Sequence, residues 1–155
     1  MGFSIKVADE VWIGCALLHF ENPIREDFSV SEIVDRVAKE NIYGELRTGV
    51  LWHVNLHCVA NKRLNPARYR ILYETRQGRR RLWRPGDDFH PARADGKSLP
   101  KQEDIPVRYT FLLDWYEEWC KRAETSGKGA TKAEMKEIID IKQIPALVKG
   151  KLPKR

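Results

Sequence analysis

Arginine carries most of the readable chemistry in this chain. Between Lys62 and Arg84, nine Lys or Arg stand against the single Glu74. A second basic stretch, Lys128 to Arg155, sets eight against three acids, yet the net charge is only +6. The remainder is therefore acidic, and positive charge is gathered on particular elements, as expected when a polyanion is met by defined surfaces. Guanidinium groups grip phosphate bidentately, so phosphate contact is the chemistry that "RQGRRR" (Arg76 to Arg81) suggests. The same run also suits a solvated edge that discourages strand pairing.

Other constellations are sparser. His53 and His57 lie one helical turn apart with Cys58 adjacent, but a structural zinc site has a second close pair of ligands and the sequence has none. No metal is expected, and His57 and Cys58 read as core. A metal-dependent nuclease needs converging carboxylates with a lysine. The only fragments are "GDD" (Gly86 to Asp88) and "EMK" (Glu134 to Lys136), and neither follows a core strand. With no nucleophile elbow, phosphate-cradling glycine loop or HExxH, the expectation is a protein that is not an enzyme and holds no cofactor. Cys15, Cys58 and Cys120 are odd in number and widely spaced, which argues against a disulfide framework. No apolar run approaches the roughly 18 to 20 residues that cross a bilayer. "MGFSIKVADE" has acids where a signal peptide is apolar, and Gly2 lacks the Ser or Thr at position 6 that myristoylation requires. A cytoplasmic protein without a membrane partner is expected.

A length of 155 residues, 42% hydrophobic and 32% charged, suits one domain with appendages. "VWIGCALLHF" (Val11 to Phe20) is apolar almost all round, as a central helix is, and Pro23 comes soon after its end. In "FSVSEIVDRVAKENI", Ser29 and Glu32 form a capping box and Phe28 with Ile33 a hydrophobic staple. Ile33, Val34, Val37 and Ala38 recur at helical spacing, with Glu32, Asp35, Arg36, Lys39 and Glu40 facing out. "TGVLWHVNLHCVANK" predicts a third helix capped by Thr48, though Gly49 and its β-branched residues weaken the propensity. Val50, Val54, Cys58 and Asn61 make one stripe and Trp52, Leu56 and Val59 another, so its exposed face is ambiguous. "YRILYETRQGRRRLWRP" (Tyr69 to Pro85) predicts a hairpin turning through Arg76 to Gly78, with Gly78 left-handed. Counting outward pairs Glu74 with Arg80, Tyr73 with Arg81 and Leu72 with Leu82.

Residues 86–106, rich in Pro, Gly and Asp, read as an irregular connector over the surface. A helix over 107–124 places Tyr109, Leu112, Leu113, Tyr116 and Cys120 on one stripe, and Phe111, Trp115 and Trp119 on another. That density fits packing on the first three helices or on a second subunit, making a homodimer a possible partner state. Residues 125–155 read as a flexible basic tail, with a short helix from Thr131 that Glu134 helps cap. The fold class is mainly α with a small β-hairpin (α+β).

The order helix, helix, helix, basic hairpin over residues 11–85 resembles the winged helix-turn-helix family. "HCVAN", the hairpin and then "RPGD" look more narrowly like the winged-helix modules beside restriction-type nucleases and in defence proteins. The resemblance implies a domain over residues 1–85 that binds double-stranded DNA in a regulatory or recognition role, with the third helix in the major groove and the wing on the backbone. On that reading Arg47, Thr48, His53 and Asn55 face base edges. Arg76, Arg79, Arg80 and Arg81 reach phosphates, Gln77 adds a hydrogen bond, and Lys62 belongs to the same DNA-facing set. Trp52 and Leu56 depart from a typical reader by placing apolar groups on that helix. A protein-binding winged helix and an RNA-binding one are the alternatives, the first suited by exposed apolar stripes.

Overall fold

The computed structural model describes residues 2–63 and 68–127; the expected helix from Thr131, the "EMK" fragment and the basic tail lie outside them. The elements run α1 (Val7–Glu21), β1 (Phe28–Ser29), α2 (Val30–Glu40), α3 (Gly49–Trp52, continuing as a π-helical turn over His53–His57), β2 (Leu72–Arg76), β3 (Arg79–Leu82) and α4 (Phe111–Gly127). The strands form a three-stranded antiparallel sheet in the order β1-β3-β2, so the class is α+β. No helix among the described residues is long and apolar enough to cross a membrane.

α1 is the axis of the core, as its all-round apolarity predicts: every residue from Val11 to Leu17 is buried. Gly14 lets it lie close on α2, since a Cβ there would come within 2.7 Å of Val37 Cγ2. α2 begins with the predicted capping box, Ser29 Oγ accepting from the Glu32 N–H and Glu32 Oε1 from the Ser29 N–H. Two hydrogen bonds from Arg25 hold the Glu32 carboxyl down to about 2. Phe28, Ile33 and Val37 are buried, but Ala38, expected on that stripe, is exposed.

The hairpin has the expected register: Leu72 opposite Leu82, Tyr73 opposite Arg81, and Glu74 opposite Arg80. Arg76 also pairs with Arg79 past an irregularity at Glu74/Arg76, which shortens the connection to Gln77 and Gly78, the latter at φ +77°. β1 escapes pattern reading because two residues carry no alternation.

The third helix is shorter than its periodicity predicts. Thr48 is already helical and its side chain caps nothing. The backbone then widens, the Cys58 N–H reaching the His53 carbonyl at 2.9 Å, and the helix ends. From Cys58 onward the backbone makes strand-like contacts: the Cys58 carbonyl accepts from Ile71 and Leu72, and the Ala60 N–H donates to the Leu72 carbonyl.

Residues 86–106 are irregular with two short 3-10 turns, but they do not merely run over the surface, because Arg93 within them is fully buried. α4 packs on α1 of the same chain. Leu112 and Tyr116 are buried, Trp12 meets Tyr116 edge-on, and His19 lies against Trp115 and Trp119.

His19 makes this junction sensitive to acid. Its Nε2 accepts the Leu82 N–H at 3.3 Å, a bond available only to neutral imidazole. Burial, joined by the charges of Arg84, Arg81 and Arg25 against that of Asp27, lowers its pKa to about 3. The unfolded chain, with histidine near 6.5, therefore binds more protons between those values. Stability is full above about pH 6.5 and falls toward pH 3 by up to about 1.4 kcal/mol per pH unit. Glu32 adds a lower window, its contribution being lost as pH falls from the ordinary carboxyl range toward 2. Urea titrations at pH 7.5 and 5 should show the loss, and His19→Gln should flatten it; an unchanged slope in that variant refutes the assignment.

Candidate nucleic-acid interface

The arginines of the hairpin serve different ends. Strand alternation turns Arg80 to the same side as Leu82 and Phe28, where it is 3% exposed. Its Nε donates to the Val54 carbonyl at 3.1 Å and Nη2 to that of Asn55 at 3.3 Å. Nη1 meets Glu74 Oε2 and the Arg79 carbonyl. Arg81 points to the other face, but Asp87 closes over it with hydrogen bonds of 2.7 and 2.9 Å, and its guanidinium stacks on Tyr73. The expectation that Arg80 and Arg81 reach phosphates is corrected: both are buried and their donors serve internal acceptors, apart from Arg81 Nε, which is buried without a partner among the described residues. Asp87 of the "GDD" fragment is the clamp.

Arg79 is half-buried and held by Asp27, which also accepts from Thr75 at 2.6 Å. Burial alone would raise the Asp27 carboxyl, but the hydrogen bonds from Thr75 and Arg79 and the Arg79 charge together hold it below its usual range. Arg76 and Gln77 are exposed at the tip, and neither side chain hydrogen-bonds to another described residue. Lys62 is half-exposed and 3.4 Å from Glu74. Asn61 mimics a strand, donating to the Glu74 carbonyl and accepting its N–H at 3.0 and 2.8 Å. Through Arg80 and Asn61 the hairpin and the end of α3 form one block.

On α3 the exposed side chains are Thr48, Leu51, Trp52 and Asn55. Trp52 is 58% exposed and Leu51 47%. Arg47 is drawn inward, its Nη2 bonding Glu10 Oε1 at 2.5 Å and the Ile5 carbonyl at 2.8 Å, with Tyr43 stacked 3.7 Å from its guanidinium carbon. It is not free to reach a base. His53 is half-buried, Nδ1–H donating to the Gly49 carbonyl, and burial lowers its pKa. It meets His57 edge-on, while burial raises the Cys58 thiol far above its ordinary value. No three His, Cys, Asp or Glu among the described residues are grouped as metal ligands would be.

The structure leaves Thr48, Asn55, Arg76 and Gln77 exposed and Lys62 and Arg79 half-exposed, and withdraws Arg47, Arg80 and Arg81. Sequence reasoning missed Leu51; Trp52 was legible as an apolar group of uncertain direction. Searches of family models, curated proteins and solved structures found no match to this chain.

Proposed function

We propose that the protein is a winged-helix DNA-binding module whose contact surface is α3 with the hairpin tip. The observation that carries this reading is the exposure of Thr48 and Asn55 on α3, beside Leu51 and Trp52, together with a tip whose Arg76 is exposed and forms no ion pair among the described residues, its charge acting on Asp27 only at longer range. Asn55 is suited to the hydrogen-bonding edge of adenine. Arg76, with Lys62 and the outer part of Arg79, supplies phosphate contacts that set position without reading sequence. Arg80 contributes by fixing the angle between helix and hairpin, not by touching DNA.

Arg76→Ala should leave stability within about 0.5 kcal/mol, weaken binding to every duplex sequence alike, and reduce the salt slope by about 1. Asn55→Ala should instead reduce discrimination between preferred and random duplexes by about 1–3 kcal/mol. Fluorescence anisotropy with folded variants measures both. If Arg76→Ala and Asn55→Ala bind every duplex as the parent does, the surface is misassigned.

A second reading, protein docking, is favoured by one observation: Leu51 and Trp52 are adjacent and exposed on the same helix. An exposed tryptophan is a common anchor for a protein partner, and the adjacent leucine extends its apolar patch. Trp52→Ala would then abolish partner binding that salt barely affects.

A further inference from the structure

A second cluster of arginines lies away from the hairpin tip. A pocket of about 200 Å³ opens between the end of α1, the Pro23–Glu26 loop, the exit of β3 and α4. Trp115 and Trp119 form one wall, stacked at 5.5 Å and 25°. Pro23 and Ile24 extend the apolar lining, and His19, whose Nε2 is occupied by the Leu82 N–H, carries its proton on Nδ1.

Arg84 enters from β3 and rests 4.6 Å above the Trp119 ring. Its backbone N–H is satisfied by Asp87, but its guanidinium has no hydrogen-bond acceptor among the described residues. Asp87 is already engaged by Arg81. Glu26, the acidic residue of the lining, attracts Arg84 at longer range without forming an ion pair with it, and Arg25 is neutralised by Glu32. Arg122 of α4 also lines the pocket with no partner among the described residues. A half-buried guanidinium laid flat on an indole is held in one orientation, with donors free along its edge in the fork that matches a carboxylate or phosphate. Its N–H groups still reach solvent, so a ligand oxyanion would take the place of water along that edge.

We infer that this pocket is a binding site for a small organic oxyanion, a carboxylate or phosphate monoester on a compact apolar body, with Arg84 as its main ligand and Arg122 as its second. The volume is below the roughly 300–1,000 Å³ of drug-sized sites, so the body is limited to about one ring. The indoles and Ile24 would face that ring. This site is independent of the DNA-binding reading.

The full chain would be titrated by calorimetry, at constant ionic strength, with benzoate, phenyl phosphate and inorganic phosphate, with tryptophan fluorescence as a second readout. Saturable binding of benzoate or phenyl phosphate is expected, at least tenfold tighter than inorganic phosphate, with a tenfold or greater loss in Arg84→Gln. Arg122→Gln should weaken it less, and Arg76→Ala not at all. Should Arg84→Gln fail to fold by circular dichroism, Arg122→Gln decides. Absence of saturable binding, equal binding of inorganic phosphate, or undiminished binding in the variant that decides overturns the assignment.

Discussion

Arg93→Met is expected to lower stability by about 3–5 kcal/mol, comparable to breaking a buried ion pair. The side chain is wholly buried, and all five of its N–H donors are used. Nε donates to the Lys62 carbonyl at 3.0 Å, Nη1 to those of His57 and Tyr69 at 2.8 and 2.7 Å, and Nη2 to those of Leu56 and Arg63 at 3.0 and 3.2 Å. No carboxylate pairs with it among the described residues; its charge is met by carbonyl dipoles, including those at the C-terminal end of the third helix. Methionine fills similar space but removes the donor from five carbonyls, of which only that of Leu56 keeps another, the Val59 N–H, among the hydrogen bonds described; the cost of stranding buried acceptors exceeds what apolar filling returns. Arg93→Lys should also lose stability, because three donors on a point charge cannot reproduce a planar five-donor fork. Urea unfolding reads the change as a lower midpoint at unchanged slope. A loss below about 1 kcal/mol would mean that water replaces the guanidinium, which is incompatible with this packing.

Arg80→Met should cost about 2–4 kcal/mol, by the same argument with fewer bonds. It strands the carbonyls of Val54 and Asn55 and leaves Glu74 with Lys62 alone. It also frees the hairpin from α3, so DNA binding should fall although Arg80 contacts no ligand. Replacing Arg79, Arg80 and Arg81 together with alanine would therefore mix loss of fold with loss of contact, whereas Arg76→Ala separates them. Thermal melts of Arg80→Met and Arg76→Ala side by side check this: the first should melt many degrees lower, the second near the parent. Equal melting temperatures would mean that Arg80 is not a tie.

The contrast among these arginines marks where sequence reading stops. Period-2 alternation places Arg80 on the face of Leu82 and Leu72, so its inward direction was legible once the register was counted. Arg81 lies on the opposite face and should have been exposed; it is buried because Asp87 folds back over it, a tertiary event with no periodic signal. Arg93 sits in a stretch whose Pro, Gly and Asp content signals only irregular chain, and nothing local marks a side chain that reaches carbonyls 24 to 37 residues away. Ser29–Glu32 and the Leu72–Leu82 register were legible because capping and pairing depend on near neighbours. The end of the third helix was not, because backbone contacts to Ile71 and Leu72 compete with helical ones after Cys58.

The central claim is that α3 and the hairpin tip meet the phosphates and base edges of duplex DNA. It is tested most directly by anisotropy titration of the full chain against a random duplex at about 50 and 200 mM salt, with Arg76→Ala in parallel. Two or three phosphate contacts predict at least about tenfold weaker binding at the higher salt, with a shallower dependence in the variant. Binding that is absent at both salts, or that neither salt nor Arg76→Ala alters, contradicts the claim and turns attention to protein partners of Leu51 and Trp52.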